Sequence, residues 1–200
     1  ISEAIAKEGE ALLNFDDKFF QWQSRVMSLR KWNPEQGWPD VSTHSLLATN
    51  GEWLGPYLSG IKRPEDLKKI DLAEVLNSSL DWEIQKELEK LAPTHIEVPS
   101  GSRIKLQYFS TGESPVLSVR LQEVFGLAET PRINGGKTAV VLHLLSPGYK
   151  PVQVTSDLKS FWSNAYFEVK KDLKRRYSKH SWPDDPWTAP AVRGVQRKGR

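Results

Sequence analysis

The sequence predicts an α+β protein: a helical N-terminal half, followed by a small, mostly antiparallel sheet that a long basic amphipathic helix covers. Three patterns predict this fold. Apolar residues recur every three or four positions before Pro93, apolar and polar residues alternate after it, and the helical period returns after Ser156. We therefore expect a helical subdomain over 1–92, a sheet-plus-helix subdomain over 93–190 and a flexible basic tail over 191–200.

Two longer helices are predicted at the start of the chain, over residues 1–13 and 15–31. In the second helix Phe19, Trp22 and Val26 repeat at spacings of three and four, which places them on one buried side. A loop rich in proline and glycine follows, and its tryptophan is the expected anchor.

Short capped helices should then follow up to Leu91. Serine and aspartate side chains accept the free amides of a first helical turn, and proline fits the first helical position. The predicted short helices lie over 44–49 and 52–58, and after Pro64, Asp71 and Asp81.

Strand patterns begin after Pro93. Residues 94–98 and 103–108 alternate between apolar and polar side chains around a Pro-Ser-Gly-Ser turn, which predicts a hairpin. A helix is expected over 116–126, because its apolar residues have helical spacing and Gly126 is a natural end. Further strands are predicted over 131–133, 137–145 and 151–155.

The C-terminal helix is expected to run from about Ser156 to residues 178–180. Its opposite side carries lysines and one large ring. The segment Trp182–Trp187 contains two prolines, so it cannot continue the helix and should fold back onto a neighbouring surface. The predicted buried stripe consists of Leu158, Phe161, Trp162, Ala165, Val169 and Leu173.

Positive charge is concentrated at the C-terminal end. The whole chain has a formal net charge of +3, but residues 168–200 contain ten Lys or Arg against four Asp or Glu, a local excess of six. Such a concentration of positive charge suits the binding of a phosphate backbone or of an acidic protein surface. In the simpler alternative these charges only decorate a solvated helix face.

Phe167 is the residue that favours a binding surface, because a large apolar ring is unusual among lysines. A flat ring can stack an unpaired base while neighbouring cations hold phosphates. In the alternative, residues 182–187 cover the ring, or it docks on another part of a longer polypeptide. The candidate nucleic-acid-binding residues are Lys159, Phe167, Lys170, Lys171, Lys174, Arg175, Arg176 and Lys179.

No pattern predicts a catalytic, metal or cofactor site in this chain. Gly135-Gly136-Lys137-Thr138 is similar to the end of a phosphate-binding loop, but that loop requires a glycine where Pro131 stands, and a helix after it. We expect a hairpin turn there instead. The four histidines are scattered, cysteine is absent and no G-x-S-x-G occurs, so neither a metal cluster nor a hydrolase triad is predicted.

The sequence has neither an apolar run long enough to span a bilayer nor a charged-then-apolar leader. We therefore expect a cytoplasmic protein that contacts no membrane. The chain does not begin with methionine, and we expect it to be the final part of a longer polypeptide.

Four blocks, in order along residues 30–187, carry a family resemblance. They are VPSGSRI, LSVRLQEVFG, KPVQVTSDLKSFW and RRYSKHSWPDDP. Together they resemble the C-terminal part of HrpB-type bacterial ATP-dependent helicases, a branch of the DEAH-box RNA helicases. The chain departs from the family pattern at Ser178, where proline is expected, and this leaves the shape of that turn open.

The resemblance implies that this chain is a non-catalytic accessory extension of an RNA helicase. The motor, with its ATP and Mg²⁺, would lie upstream in the same polypeptide, because this sequence lacks a complete phosphate loop and an acidic magnesium-binding strand. Two roles remain open. The extension assists or guides single-stranded RNA, or it packs as a scaffolding domain on the upstream helicase core without touching RNA. A third possibility, a free-standing enzyme, has no site to support it.

Overall fold

The computed structural model describes residues 1–195, and the chain divides into two compact units. The first contains Ile1–Ala92 and Tyr108–Glu113, and the second contains Pro93–Gln107 and the chain from Ser114 onward. That residues 1–92 and 93–190 are separate subdomains stays a prediction. The predicted flexible tail lies in part outside the described residues, in 196–200.

The first unit is helical, as predicted. The carboxylates of Asp16 and Asp71 and the hydroxyl of Ser42 accept hydrogen bonds from backbone amides of the first helical turn, so the predicted caps Ser42 and Asp71 are confirmed. Helices α1–α7 span Ser2–Leu12, Asp17–Trp32, Thr43–Ala48, Asn50–Trp53, Pro64–Leu67, Leu72–Ser79 and Trp82–Leu91.

Helix α2 explains why residues 108–113 belong to this unit. The Gln21 side chain exchanges two hydrogen bonds with the backbone of Tyr108, at 3.2 and 2.8 Å. Lys31 Nζ donates to the Thr111 carbonyl at 2.6 Å, and Trp32 Nε1 donates to the Gly112 carbonyl at 2.8 Å. Side chains of α2 thus satisfy backbone groups of a loop that has no sheet partner of its own.

The second unit contains a five-stranded sheet in the order β1-β2-β3-β6-β7. Strands β3 and β6 are parallel, and the other neighbouring pairs are antiparallel, which confirms a mostly antiparallel sheet. Strands β4 and β5 form a separate hairpin. The strands β1–β7 span His95–Glu97, Arg103–Gln107, Val116–Arg120, Arg132–Ile133, Thr138–Ala139, Val141–Leu145 and Pro151–Thr155.

The hairpin between β4 and β5 contains the glycine pair that is similar to a phosphate loop. Asn134, Gly135 and Gly136 all have positive φ angles, of 55°, 63° and 84°. Two adjacent glycines allow this left-handed path at little cost. The chain then enters strand β5, so the predicted hairpin turn is confirmed.

The predicted helix over 116–126 is wrong. Residues 116–120 form β3, which lies between β2 and β6, and a 3-10 turn over Leu121–Glu123 follows. Leu117 and Val119 are buried, and Ser118, which lies between them in the sequence, is exposed. Pairing with two neighbouring strands outweighed the helical spacing of the apolar residues.

The single long C-terminal helix is not confirmed either. The stretch forms α8, Leu158–Ser163, and α9, Tyr166–Arg176, with a break at Asn164. The side-chain amide of Asn164 donates a hydrogen bond to the Ser160 carbonyl at 3.0 Å, and this local bond competes with continuation of the helix. Helix α9 also ends at Arg176, earlier than predicted.

Within residues 1–195, no helix has both the length and the apolar character that crossing a membrane requires.

Candidate nucleic-acid interface

The candidate interface is built on α8 and α9. The Asp157 carboxylate accepts a hydrogen bond from the backbone amide of Ser160 at 2.9 Å and so caps α8. The break at Asn164 turns α9 so that Tyr166, which the predicted stripe omitted, is fully buried. Ala165 and Val169, which that stripe included, are only half-buried.

An aromatic cluster fixes the start of α9. The Tyr166 ring makes edge-to-face contacts with Trp162 and Phe125, with ring centroids 5.3 and 6.1 Å apart. The Tyr166 hydroxyl donates to the Pro183 carbonyl at 2.6 Å, and burial raises the pKa of this phenol. The cluster therefore sets the rotation of α9 and holds the segment that follows it.

The segment after α9 folds back, as predicted. Trp182 Nε1 donates to the Tyr177 carbonyl at 2.9 Å, and the Gly126 amide donates to the Pro186 carbonyl at 2.9 Å. It does not cover Phe167, whose ring stays 48% exposed. One of the two alternatives for Phe167, a ring covered by residues 182–187, is therefore wrong.

Lys170 holds this returning segment. Its side chain is only 14% exposed, and its ammonium group forms an ion pair with the Asp184 carboxylate. The hydrogen bond from Lys170 lowers the pKa of Asp184 below its ordinary value. Lys170 thus has a structural partner, whereas its neighbour Lys171 is exposed.

Four of the predicted residues share the outward side of α9. At about 100° per residue, positions 167, 171, 174 and 175 fall within one arc opposite buried Leu173. All four side chains are exposed. On the helical wheel Glu168 borders this arc, about 20° from Arg175, and Asp172 lies beyond it, between Glu168 and Arg176. We call Phe167, Lys171, Lys174 and Arg175 the α9 face.

The remaining predicted residues lie apart from the α9 face. Lys159 is exposed on α8, before the break. Lys179 is exposed after the end of α9, where the His180 amide donates to the Tyr177 carbonyl at 3.0 Å. The structure therefore brings together half of the eight predicted residues.

A second group of cations was missed from the sequence. The Arg120 guanidinium lies 4.7 Å from the centroid of the exposed Tyr149 ring, beside a cleft that Arg103 and Arg193 also line. These residues come from two strands, a turn and the C-terminal segment, so no local spacing reveals them. The only local signal is an aromatic residue between Gly148 and Lys150 in a predicted loop.

These features identify the class of protein. Residues 53–186 match the family model for the C-terminal region of ATP-dependent helicases (HrpB_C), so the chain belongs to that family, and the resemblance predicted from its sequence is confirmed.

Among its relatives, the ATP-dependent RNA helicase HrpB of Escherichia coli K12 is 44% identical over 190 residues, which cover 94% of this chain and 23% of that protein.

Two solved structures have the same fold. The crystal structure of the E. coli DExH-box NTPase HrpB matches 96% of the chain and 24% of that structure, with a TM-score of 0.91 and 41% identity. The crystal structure of the E. coli DEAH/RHA helicase HrpB matches 91% of the chain and 23% of that structure, with a TM-score of 0.78 and 40% identity. The chain thus spans about a quarter of the length of these relatives.

Proposed function

We propose that this domain holds or guides single-stranded RNA for an ATP-dependent RNA helicase of the DEAH-box type, and that the α9 face makes the contact. The observation that carries the proposal is a half-exposed Phe167 ring that shares one side of α9 with three exposed cations, Lys171, Lys174 and Arg175. Such a surface stacks bases and attracts phosphates with little sequence preference.

The motor of this helicase belongs to the rest of the polypeptide in our proposal. The E. coli relative is named an ATP-dependent RNA helicase and its solved structure a DExH-box NTPase, and this chain covers only 23% and 24% of them. ATP and Mg²⁺ would act in that upstream core, in the cytoplasm of a bacterium. The role of the present domain is then to position the RNA strand.

The test is the affinity of the chain for a fluorescent oligouridylate of about a dozen nucleotides, measured by anisotropy across a salt series. We expect binding that weakens linearly with the logarithm of salt concentration. Replacing Lys171 and Lys174 with glutamine should reduce the slope by about 0.7 for each phosphate contact removed. Lys7→Gln is the matched control, because Lys7 lies on α1 and pairs with Glu3. The absence of binding at low salt would contradict the proposal.

A scaffolding role is the second candidate, and the same exposed ring favours it. An apolar side chain on a solvated helix can dock on a protein surface as well as stack on a base. If the domain is a scaffold, Phe167→Ala should weaken its association with the separately produced helicase core and leave RNA affinity unchanged. If the domain is an RNA guide, Phe167→Ala should weaken RNA binding and leave its association with the helicase core unchanged.

A further inference from the structure

The turn between β6 and β7 presents an aromatic ring in an unusual backbone conformation. Tyr149 has a φ angle of +64°, which is uncommon for a bulky residue, and its side chain is 64% exposed. The Tyr149 amide donates to the Ser146 carbonyl at 2.9 Å, and the Ser146 amide donates to the Lys150 carbonyl at 2.8 Å. The surrounding turn therefore imposes the conformation, and it does so without burying the ring.

Packing against the end of α9 holds this turn in place. A Cβ atom on Gly148 would lie 2.6 Å from the Tyr177 hydroxyl oxygen, so only glycine allows the observed approach. Buried Ser146 places its Oγ atom 3.4 Å from the same hydroxyl oxygen. Strained residues that a rigid surrounding maintains are concentrated at binding sites.

One face of the Tyr149 ring is occupied by a fixed cation. Arg120 Nε donates to a Glu123 carboxylate oxygen at 3.1 Å, and the guanidinium carbon lies 4.7 Å from the ring centroid. Glu123 is buried and also accepts hydrogen bonds from the hydroxyls of Ser100 and Ser102, at 2.9 and 2.6 Å. These bonds hold the pKa of Glu123 below its usual value although burial acts to raise it. Arg120 is thereby fixed against the ring.

Beside the ring lies a polar cleft of about 390 Å³. Two exposed arginines line it, Arg103 from β2 and Arg193 from the C-terminal segment. A guanidinium nitrogen of Arg193 would be 3.1 Å from a Cβ atom on Gly101, so the arginine lies directly over that turn. Two acids lie near the three arginines of the cleft: Glu123 is bonded to Arg120, and Glu97 is opposite Arg103 in the strand pair. Three arginines against two carboxylates leave the cleft with a positive charge.

We propose that this cleft binds one unpaired nucleotide of single-stranded RNA, with the base stacked on Tyr149 and the phosphate held by Arg103 and Arg193. A ring with a cation on one side and solvent on the other can accept a base on the open side. Paired guanidinium groups suit phosphate oxygens, because each presents several donors in a planar fork. The inference rests on the proposed function and adds a second contact to the strand that the α9 face holds.

The experiment compares Tyr149→Ala with Tyr149→Phe, which keeps the ring, on two labelled probes. One is an oligouridylate of about a dozen nucleotides, and the other is an abasic oligomer of the same length. On the base-bearing probe, we expect Tyr149→Ala to weaken binding about tenfold and Tyr149→Phe to leave it unchanged. On the abasic probe, all three proteins should bind equally, because only the stacking is lost.

Thermal melting separates stacking from a structural role. Tyr149→Gly should melt at or above the temperature of the wild-type chain, because glycine removes the strain of the positive φ, and yet it should bind the base-bearing probe as weakly as Tyr149→Ala. A Tyr149→Ala protein that binds both probes as the wild type does would overturn the assignment. So would an equal loss on both probes.

Parallel measurements on Phe167→Ala separate the two proposals. Loss of affinity in Phe167→Ala, with Tyr149→Ala unchanged, rejects the cleft and supports the α9 face. The reverse result supports the cleft and rejects the α9 face. A wild-type chain that binds neither probe at low salt rejects both.

Discussion

Helix α9 has two sides that use aromatic residues in different ways. On its inward side Tyr166 is fully buried among other rings, and on its outward side the next residue, Phe167, is half exposed among lysines. The lysines differ in the same way, because Lys170 forms an ion pair with Asp184 and Lys171 is exposed. An aromatic ring or a cation in this helix therefore acts in folding or is available for binding according to its angular position.

The largest effect is expected from Tyr166→Ala, which removes the centre of the aromatic cluster. We expect a loss of about 3–5 kcal/mol in the free energy of unfolding, the usual cost of truncating a buried aromatic residue. Urea denaturation measures it. The control Tyr166→Phe removes only the hydrogen bond to Pro183 and should cost about 0.5–1.5 kcal/mol. Equal losses in the two variants would show that the ring contributes little to the core.

The same truncation one residue later should affect binding instead of folding. Phe167→Ala is expected to change the free energy of unfolding by at most about 1 kcal/mol. Its affinity for single-stranded RNA should fall by about 1–3 kcal/mol, or roughly five- to hundredfold, because one stacking platform is lost. Denaturation and anisotropy measure the two quantities. Phe167→Tyr keeps a ring and should bind normally. A strong loss of stability without a loss of affinity for RNA would show that the outward side of α9 acts in folding and not in RNA binding.

Neighbouring lysines provide a smaller contrast. Lys170→Gln should lower the melting temperature slightly, by less than Tyr166→Phe does, because the ion pair that it loses has one fully exposed partner. Lys171→Gln should leave the melting temperature unchanged and reduce the salt dependence of RNA binding. If the two variants exchange these effects, the assignment of the inward and outward sides is wrong.

The smallest expected effect is the contribution of Asp184 to the pH dependence of the melting temperature. Its pKa is lowered in the folded protein, so its stabilising contribution is fully present above the ordinary aspartate pKa and is lost as the pH falls through the folded value. The wild-type chain should therefore melt slightly above Asp184→Asn at neutral pH. The difference should shrink below about pH 5 and disappear in stronger acid. A difference that grows in acid would contradict the role of the Lys170 pair.

Local patterns predicted the parts of this fold that depend on neighbours in sequence. Caps such as Ser42 and Asp71, the hairpin turn at Gly135 and the β1–β2 hairpin follow from turn chemistry and alternation, and the structure contains all of them. The segment 116–120 was assigned to a helix, because its pairing with β6 depends on residues more than twenty positions away. Sequence spacing carries no record of such a partner.

The candidate site was predictable to the same extent. Phe167 and the lysines near it are close in sequence, so one helical wheel places them together, although the break at Asn164 moves Lys159 away and tertiary packing gives Lys170 a partner. The Tyr149 cleft combines a turn, two strands and the C-terminal segment. Only the folded chain brings those residues together.

By itself, the sequence determined the class of fold, the family and the concentration of positive charge at the C-terminal end, because periodicity, motifs and composition are local or additive properties. The tertiary structure decided which of those charges are available. The rotation of α9 depends on the burial of Tyr166 among rings from distant segments, and that rotation pairs Lys170 and exposes Lys171. Hydrophobic burial of one ring, summed over partners far apart in sequence, therefore selects the face that this helix presents to solvent.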